Sequence, residues 1–236
     1  GGAIKDAAGN NATLTLFTLG ATNSLSANKA LVIDTAVPTD ISLSSTSINE
    51  NESSGTTVGA LSSTDAFSPG GHTYSLVGGS GNTDNSSFAI SGSTLITNAL
   101  FNFEVKNSYS IRIRTTDAGG NYYEEAFTIT IDDVNEAPII TSNDGGSAAS
   151  ISYAENSTSA ITTVTSTDVD ASATATYTID GGSDSSKFTI DSSSGVLTFS
   201  STPNFEVPTD SNVDNVYTVI VTVTDNTSLT DTQTLT

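Results

Sequence analysis

Residues 217–224 read YTVIVTVT, and this stretch decides the fold class. Tyr217, Val219, Val221 and Val223 alternate with residues that are mostly threonine, so an extended chain places these four side chains on one face. Most of the stretch is branched at Cβ, which restricts the first side-chain torsion and suits a pleated sheet. The stretch therefore predicts a β-strand with one buried face.

The same period of two recurs along the chain, for example in residues 109–114 and 127–131. Clusters rich in Gly, Ser, Asn and Pro, such as residues 68–71 and 180–183, separate the alternating runs and indicate turns. We find no apolar stripe with the 3.6-residue period of a helix. Many short strands at this spacing predict an all-β fold built from antiparallel sandwiches.

Composition excludes several classes of protein. The 236 residues include 26 acidic and 6 basic ones, with a formal net charge of −20, one His and no Cys, Met or Trp. Cysteine-based metal sites, disulfide frameworks and cysteine nucleophiles are therefore excluded. The few basic residues cannot form a nucleic-acid-binding face. No apolar run approaches the ~20 residues of a membrane helix, so we expect no membrane insertion by this segment. An enzyme is the least favoured class.

Six short blocks of sequence occur twice in the same order, roughly one hundred residues apart, which is the length of one sandwich domain. The matched pairs are 48–51 with 153–156, 63–65 with 166–168, 74–79 with 177–182, 87–90 with 187–190, 102–105 with 204–207, and 116–117 with 224–225. We predict one domain over residues 38–136 and a second over 137–236, whose last strand is truncated. Residues 1–37 are predicted to be the C-terminal remnant of a preceding domain.

Several blocks resemble the motifs of cadherin repeats. Residues 133–138 read DVNEAP, which is similar to the cadherin linker in its bacterial form. Glu50 and Glu155 resemble the glutamate near the start of each cadherin repeat. Asn-Phe-Glu at 102–104 and at 204–206 resembles the cadherin Asp-x-Glu motif, with Asn in place of Asp. Asp-Val-Asp at 168–170 resembles the Asp-x-Asp motif. Asp117 and Asp225 resemble the aspartate of the Thr-Asp turn.

The resemblance covers residues 38–236 and implies tandem immunoglobulin-like, cadherin-like β-sandwiches in a linear rod. Residues 1–37 resemble instead the end of a bacterial immunoglobulin-like repeat. Both repeat types occur together in large bacterial surface adhesins. The resemblance therefore implies an extracellular segment at a bacterial cell surface that supports adhesion.

Calcium is the cofactor that the resemblance implies, and it takes six to eight oxygen ligands from carboxylates, amides, carbonyls and water. The implied ligands at the linker are Glu50, Asn102, Glu104, Asp133, Val134, Asn135, Glu136, Ala137, Asp168, Asp170 and Asp225, with Val134 and Ala137 contributing carbonyls. Glu50 and Glu104 would bridge two ions, and Glu136 would take the place of the usual linker Asp. A third ion would be held by Asn135, Asp168 and Asp225. Asn102 carries no charge, so the outermost ion should bind more weakly. The repulsion between clustered carboxylates, about 4 kcal/mol per pair at 4 Å and an effective dielectric near 20, also calls for cations.

A second and poorer calcium site is implied by Asp34, Asp65 and Asp117. Phe67 stands where the second Asp of Asp-x-Asp belongs, so we expect one ion there at most. Simpler interpretations remain open: Glu50 and Glu155 could be solvated edge-strand charges, and Asp117 and Asp225 could merely hold turns. His72 follows a loop and is interpreted as a surface residue.

One insert in the second repeat has two possible interpretations. Asp210, Asn212 and Asp214 occupy positions one, three and five of the stretch DSNVDN, as in a looped calcium site. Asn215 at position six can adopt the left-handed turn conformation. No Glu follows at position twelve, so an ordinary hairpin turn is an equal alternative.

The sequence thus predicts a calcium-binding spacer and adhesion segment in which calcium rigidifies the linkers. Its expected partners are calcium ions together with other adhesin molecules or a cell-surface polysaccharide. The rival hypothesis is a polysaccharide-binding module. Sugar stacking usually needs exposed aromatic rings, and the pair Tyr122 and Tyr123 is the one candidate, since Trp is absent.

Overall fold

The computed structural model describes residues 35–67, 70–170 and 173–236. These residues form two compact units. Unit 1 contains the described residues up to Ile48, then Glu52–Leu100 and Ser108–Thr130, and unit 2 contains Asn49–Asn51, Phe101–Asn107 and Ile131–Thr236. Most of the predicted remnant over residues 1–37, including Asp34, lies outside the described residues. Within the described ranges, no helix has the length and apolar character needed to cross a membrane.

Unit 1 is built from two four-stranded sheets, ordered β1-β3-β6-β5 and β2-β8-β7-β4, and the ends of β2 and β8 continue into unit 2. Its strands are β1 (Asp40–Leu43), β2 (Ser47–Asn49), β3 (Thr57–Thr64), β4 (His72–Leu76), β5 (Phe88–Ser91), β6 (Thr94–Thr97), β7 (Ser108–Asp117) and β8 (Tyr122–Asp132). A 3-10 helix at Asn85–Ser87 precedes β5. Every register recorded among β1 and β3–β8 is antiparallel.

The strand β7 shows how the sequence alternation produces the core of unit 1. Ile111, Ile113 and Thr115 are fully buried, whereas Arg112 and Arg114 between them point to the other face. Arg112 and Arg114 both pair with Glu124 on β8, at 3.0 and 2.6 Å. A period of two thus places the apolar side chains inward and the charged pair outward.

Unit 2 contains three sheets, ordered β10-β17-β16-β13, β11-β15-β14 and β12-β9. Its strands are β9 (Ile139–Ile140), β10 (Ala148–Ala149), β11 (Thr162–Thr163), β12 (Ser166–Thr167), β13 (Thr176–Gly181), β14 (Phe188–Ile190), β15 (Val196–Phe199), β16 (Val219–Thr224) and β17 (Thr230–Leu235). A 3-10 helix at Ser185–Lys187 precedes β14, as in unit 1. The predicted all-β class of tandem sandwiches is confirmed.

The strand β16 contains most of the stretch that predicted the fold. Val219, Val221 and Val223 are buried in the core of unit 2, as the alternation predicted. Tyr217 packs at the edge of that core, where its ring meets Phe199 edge-on at 5.1 Å. Phe199 also stacks on Phe188 at 4.7 Å between ring centroids, so aromatic contacts extend the valine face.

The first two strands of unit 2, β9 and β10, depart from the predicted antiparallel pattern. β9 pairs antiparallel with β12, but β10 pairs parallel with β17. Between them, Asn143 to Gly146 all have positive φ, which bends the chain from one sheet to the other. The buried Gln233 holds this bend by donating to the carbonyls of Ser142 and Gly146.

Candidate metal centre

Three segments of unit 2 carry the predicted linker ligands: Asn49–Asn51, Phe101–Asn107 and the chain that begins at Ile131. The first segment turns sharply just after Glu50, because Asn51 adopts a left-handed φ of 60° that asparagine tolerates. The second is a turn in which Asn102 Oδ1 accepts a hydrogen bond from the Val105 N–H at 2.8 Å. These local turns present the side chains of Glu50 and Glu104.

Glu50 joins the three segments through its carboxylate. Its side chain is buried, with only 2% of the residue exposed, so the interpretation as a solvated edge charge is wrong. Oε1 accepts a hydrogen bond from the Val134 N–H at 3.0 Å, and Oε2 accepts one from the Phe103 N–H at 2.8 Å. These two hydrogen bonds fix the Glu50 carboxylate in place between the three segments.

Five of the predicted carboxylates converge into two groups that share Glu104. Carboxylate oxygens of Glu50, Glu104 and Asp133 lie within 4.8 Å of one another, and so do oxygens of Glu104, Glu136 and Asp170. Calcium–oxygen distances are about 2.3–2.6 Å, so two oxygens on one ion are separated by at most about 5 Å. Each group therefore has a spacing that a single calcium ion can bridge.

The electrostatics of these groups favour a bound cation. Partial desolvation, followed by the charges of Asp170 and Glu50, raises the pKa of Asp133 above its usual value. Burial and the charge of Glu50 also raise the pKa of Glu136, although the Asn51 side-chain amide donates a hydrogen bond to this carboxylate. Burial and then the acidic neighbours thus destabilise the ionised forms of both groups, and a cation would relieve the repulsion between the charges.

Two buried carboxylate oxygens provide a direct test of whether the residues fit a metal. Oδ1 of Asp168 accepts a hydrogen bond from the Asp170 N–H at 3.0 Å, but Asp168 Oδ2 is buried and has no hydrogen-bond partner among the described residues. Glu136 Oε2 is buried without a partner in the same way. An unsatisfied buried carboxylate oxygen is costly. The donor set is made only of oxygen atoms, so it fits calcium.

Asp170 and Asn135 connect the linker to the rest of unit 2. Asp170 Oδ2 accepts a hydrogen bond from the Glu136 N–H at 2.9 Å, and the Asn135 amide donates to Asp225 Oδ2 at 2.6 Å. Asp225 also accepts from the N–H groups of Thr227 and Leu229, so it holds a turn as well. Burial by itself raises the pKa of Asp225, but these hydrogen bonds outweigh burial and hold the pKa below its usual value.

The structure assigns other contacts to some predicted ligands. Asn102 uses its side-chain oxygen within its own turn. Val134 donates its N–H to Glu50, and Ala137 is exposed. The roles of Asn102 and of the two carbonyls as calcium ligands therefore stay predictions. Asn51, which was not predicted, contacts Glu136, and its place in a repeated block was the available signal.

Asp65 and Asp117, predicted for the poorer site, lie in unit 1 and already have partners. Asp65 Oδ2 lies 3.3 Å from Nε2 of His72, so the interpretation of His72 as a mere surface residue is wrong. Asp117 accepts hydrogen bonds from the backbone N–H and the side-chain amide of Asn121, at 2.8 and 2.9 Å. Asp34 lies outside the described residues.

The inserted loop of unit 2 favours the hairpin-turn interpretation. Asp210 is buried, and its two oxygens accept from the N–H groups of Asp214 and Asn215. Asp214 accepts from the Val216 N–H and from the Asn212 amide. Because each carboxylate oxygen has a donor within the loop, the hydrogen bonds alone account for these acidic residues.

Solved structures with a similar fold are fragments of cadherin ectodomains. Human Protocadherin-24 EC1-2 aligns with a TM-score of 0.56 and 17% identity, over 85% of this chain and 97% of that chain. Mouse Cadherin-23 EC22-24 aligns with a TM-score of 0.51 and 25% identity, over 85% of this chain and 63% of that chain. For Protocadherin Gamma B2 domains 3-6 the TM-score is 0.53 and the identity 18%, and this chain spans half of that chain.

These similarities confirm the predicted cadherin-like sandwich fold. No family model matches the chain, and no curated protein matches it. The bacterial origin and the immunoglobulin-like remnant stay predictions, as do the domain boundaries and the calcium ligands.

Proposed function

We propose that this chain is a calcium-binding, cadherin-like segment of an extracellular adhesion protein, and that calcium stiffens the connection between its two units. The observation that carries the proposal is the pair of carboxylate groups that share Glu104, together with the unpartnered oxygens of Asp168 and Glu136. The bacterial cell surface is the setting that we propose from the sequence motifs.

The stiffening follows from where the ligands lie along the chain. Glu50, Glu104 and Asp133 belong to three separate segments of unit 2, and each segment continues along the chain into unit 1. An ion held by all three would fix these connections at once. Extracellular calcium modules have dissociation constants of about 10⁻⁴–10⁻³ M, so the ions would be bound outside the cell and absent where calcium is scarce.

The chemistry supplied by calcium here is charge neutralisation and crosslinking. Glu104 would serve both ions, Glu50 and Asp133 would complete one set, and Glu136 and Asp170 would complete the other. Asp168 and Asp225 would hold a further ion with Asn135. A structural role fits this set, because several of its members accept hydrogen bonds from backbone N–H groups, namely Glu50, Asp168, Asp170 and Asp225.

The rival role as a polysaccharide-binding module receives less support. Tyr122 is exposed, but the Arg114 guanidinium lies over its ring at 4.2 Å from the centroid and covers one stacking face. Tyr123 is only half-exposed. We therefore propose adhesion through copies of the protein or another surface protein rather than through stacked sugars.

Small-angle X-ray scattering with and without calcium tests the proposal. We expect about 10 mM calcium, which exceeds the usual dissociation constants, to narrow the distribution of intramolecular distances relative to chelator. Glu104→Gln should lose most of this response, and Glu52→Gln, an exposed site outside the two groups, should retain it. Identical profiles with calcium and chelator would contradict the proposal.

A further inference from the structure

Both units use one aspartate at the same place in the repeat to form the same turn. In unit 2, Oδ1 of Asp168 accepts a hydrogen bond from the Asp170 N–H at 3.0 Å. In unit 1, Oδ1 of Asp65 accepts one from the Phe67 N–H at 3.2 Å. Because the local turn is shared, the two sites can be compared by what surrounds the second carboxylate oxygen.

That second oxygen has a partner in unit 1 and none in unit 2. Asp168 Oδ2 is buried and unpartnered. Asp65 Oδ2 lies 3.3 Å from His72 Nε2, with the aspartate side chain 0% and the histidine side chain 11% exposed. A carboxylate oxygen accepts hydrogen bonds, so the donor in this contact is the Nε2–H tautomer of the imidazole. His72 thus satisfies the oxygen that stays unsatisfied in unit 2.

Two sequence differences between the repeats coincide with this contact. His72 stands two residues before Tyr74, and the matching place before Tyr177 is Ala175, which has no donor group. Ala175 instead lines a cavity of about 170 Å³ together with Asp168 and Asp170. At the place of Asp170, unit 1 has Phe67. Unit 1 has therefore lost an acidic ligand and gained a hydrogen-bond donor.

The neighbouring carboxylate of unit 1 is satisfied as well. Asp117 faces His72 across the β4–β7 pair, and Asn121 donates to both of its oxygens. Among the described residues of unit 1, no carboxylate oxygen is buried without a partner. The carboxylates of Asp65 and Asp117, which define this end of unit 1, therefore have their oxygens satisfied by hydrogen bonds without a cation.

We infer that His72 replaces a calcium ion at this end of unit 1, so that unit 1 keeps its Asp65 turn without metal. His72 acts as a positioning residue: its Nε2–H holds the carboxylate that a calcium ion would otherwise balance. The inference rests on contacts within unit 1 and does not require unit 2 to bind calcium.

Magnetic resonance of the single histidine tests this directly. The chain has one His, so its imidazole signals report on this site alone. During a calcium titration of the full chain to about 10 mM, we expect the His72 signals to stay constant while the carboxylate signals of Asp168 and Asp170 shift. A saturable shift of the imidazole signals would overturn the inference, and constant Asp168 signals would instead contradict the proposed function.

Melting in chelator tests the same inference without metal. We expect His72→Ala to lower the melting midpoint of unit 1 by at least about 4 °C, because it leaves the Asp65 oxygen unpaired. His72→Gln, which keeps an N–H donor, should retain most of the midpoint, and Ser75→Ala, an exposed site on the same strand, should leave it unchanged. Equal midpoints for His72→Ala and the wild type would overturn the inference.

A double substitution supplies the reverse experiment. Phe67→Asp/His72→Ala copies unit 2 at both positions, and we expect calorimetric titration to detect one calcium ion more than in the wild type. No additional ion would contradict the assignment of these two positions as the pair that decides metal binding.

Discussion

At the scale of single residues, Glu50 and Glu104 show that one residue type serves two purposes in the same centre. Glu50 is buried and holds two backbone N–H groups, whereas Glu104 is exposed and is the member common to both carboxylate groups. The first joins three segments of unit 2 through its hydrogen bonds. The second contributes repulsion unless a cation is present.

This difference predicts opposite behaviour in chelator. Glu50→Gln should lower the free energy of unfolding by about 1–3 kcal/mol, since it removes the charge from a buried carboxylate that accepts two backbone hydrogen bonds. Glu104→Gln should leave the free energy unchanged or slightly higher, because it removes one like charge. Denaturant unfolding in chelator measures both, and an equal loss for the two variants would contradict the division of roles.

Thr222 is a second residue whose environment predicts a measurable effect. Its hydroxyl oxygen is buried on β16 and finds no hydrogen-bond partner within the part of the chain that the structure describes. Thr222→Val keeps the shape and removes the unsatisfied group, so we expect it to raise the free energy of unfolding by about 1 kcal/mol. Thr232→Val, at the exposed position opposite on β17, should change it by less than about 0.5 kcal/mol. A destabilised Thr222→Val would show that the hydroxyl has an unseen partner.

At the scale of elements, the inserted loop of unit 2 is held by hydrogen bonds but contains one strained residue. Val213 has a φ of 62°, which is unfavourable for a side chain branched at Cβ, and it is 64% exposed. Asp184 anchors the loop by accepting from the N–H groups of Ser211 and Thr218. The loop is therefore well fixed despite the strain.

The strain at Val213 predicts a stabilising substitution. Asparagine tolerates left-handed backbone, so Val213→Asn should raise the free energy of unfolding by about 1 kcal/mol. Val207→Asn replaces an equally exposed valine whose φ is negative, and it should give no gain. Chemical denaturation compares the two, and equal effects would show that φ is not the cause.

Elements with a local signal were predictable from sequence, and those that depend on distant contacts were not. The alternation in residues 217–224 predicted the buried face of β16 because strand periodicity depends only on neighbours along the chain. The parallel pairing of β10 was missed, because it follows from a bend held by Gln233, some 90 residues away. The repeated motifs identified the acidic residues that converge, but not the His72–Asp65 contact, since a repeat comparison detects what units share.

At the scale of the whole molecule, the chain has a net charge of −20, and self-repulsion of this size destabilises a compact state. The two carboxylate groups, and with them the unpartnered oxygens, belong to unit 2. A ligand that binds only the folded state stabilises by RT ln(1 + [L]/Kd). The gain in the free energy of unfolding on adding calcium should therefore be concentrated in unit 2.

Differential scanning calorimetry measures this response. At calcium concentrations ten to one hundred times Kd, each bound ion should add about 1.4–2.7 kcal/mol to the free energy of unfolding of unit 2. Magnesium at the same concentration should add less, because it requires stricter geometry and gives up its waters reluctantly. Equal thermograms in calcium and chelator would contradict the linkage.

The central claim is that the carboxylates around Glu104 bind calcium, and calorimetric titration of the full chain with calcium tests it most directly. We predict saturable binding of at least two ions with dissociation constants of about 10⁻⁴–10⁻³ M, weakened at least about tenfold by Glu104→Gln and unchanged by Glu52→Gln. Absence of saturable binding up to about 10 mM calcium, or equal affinity in the wild type and Glu104→Gln, would contradict the claim.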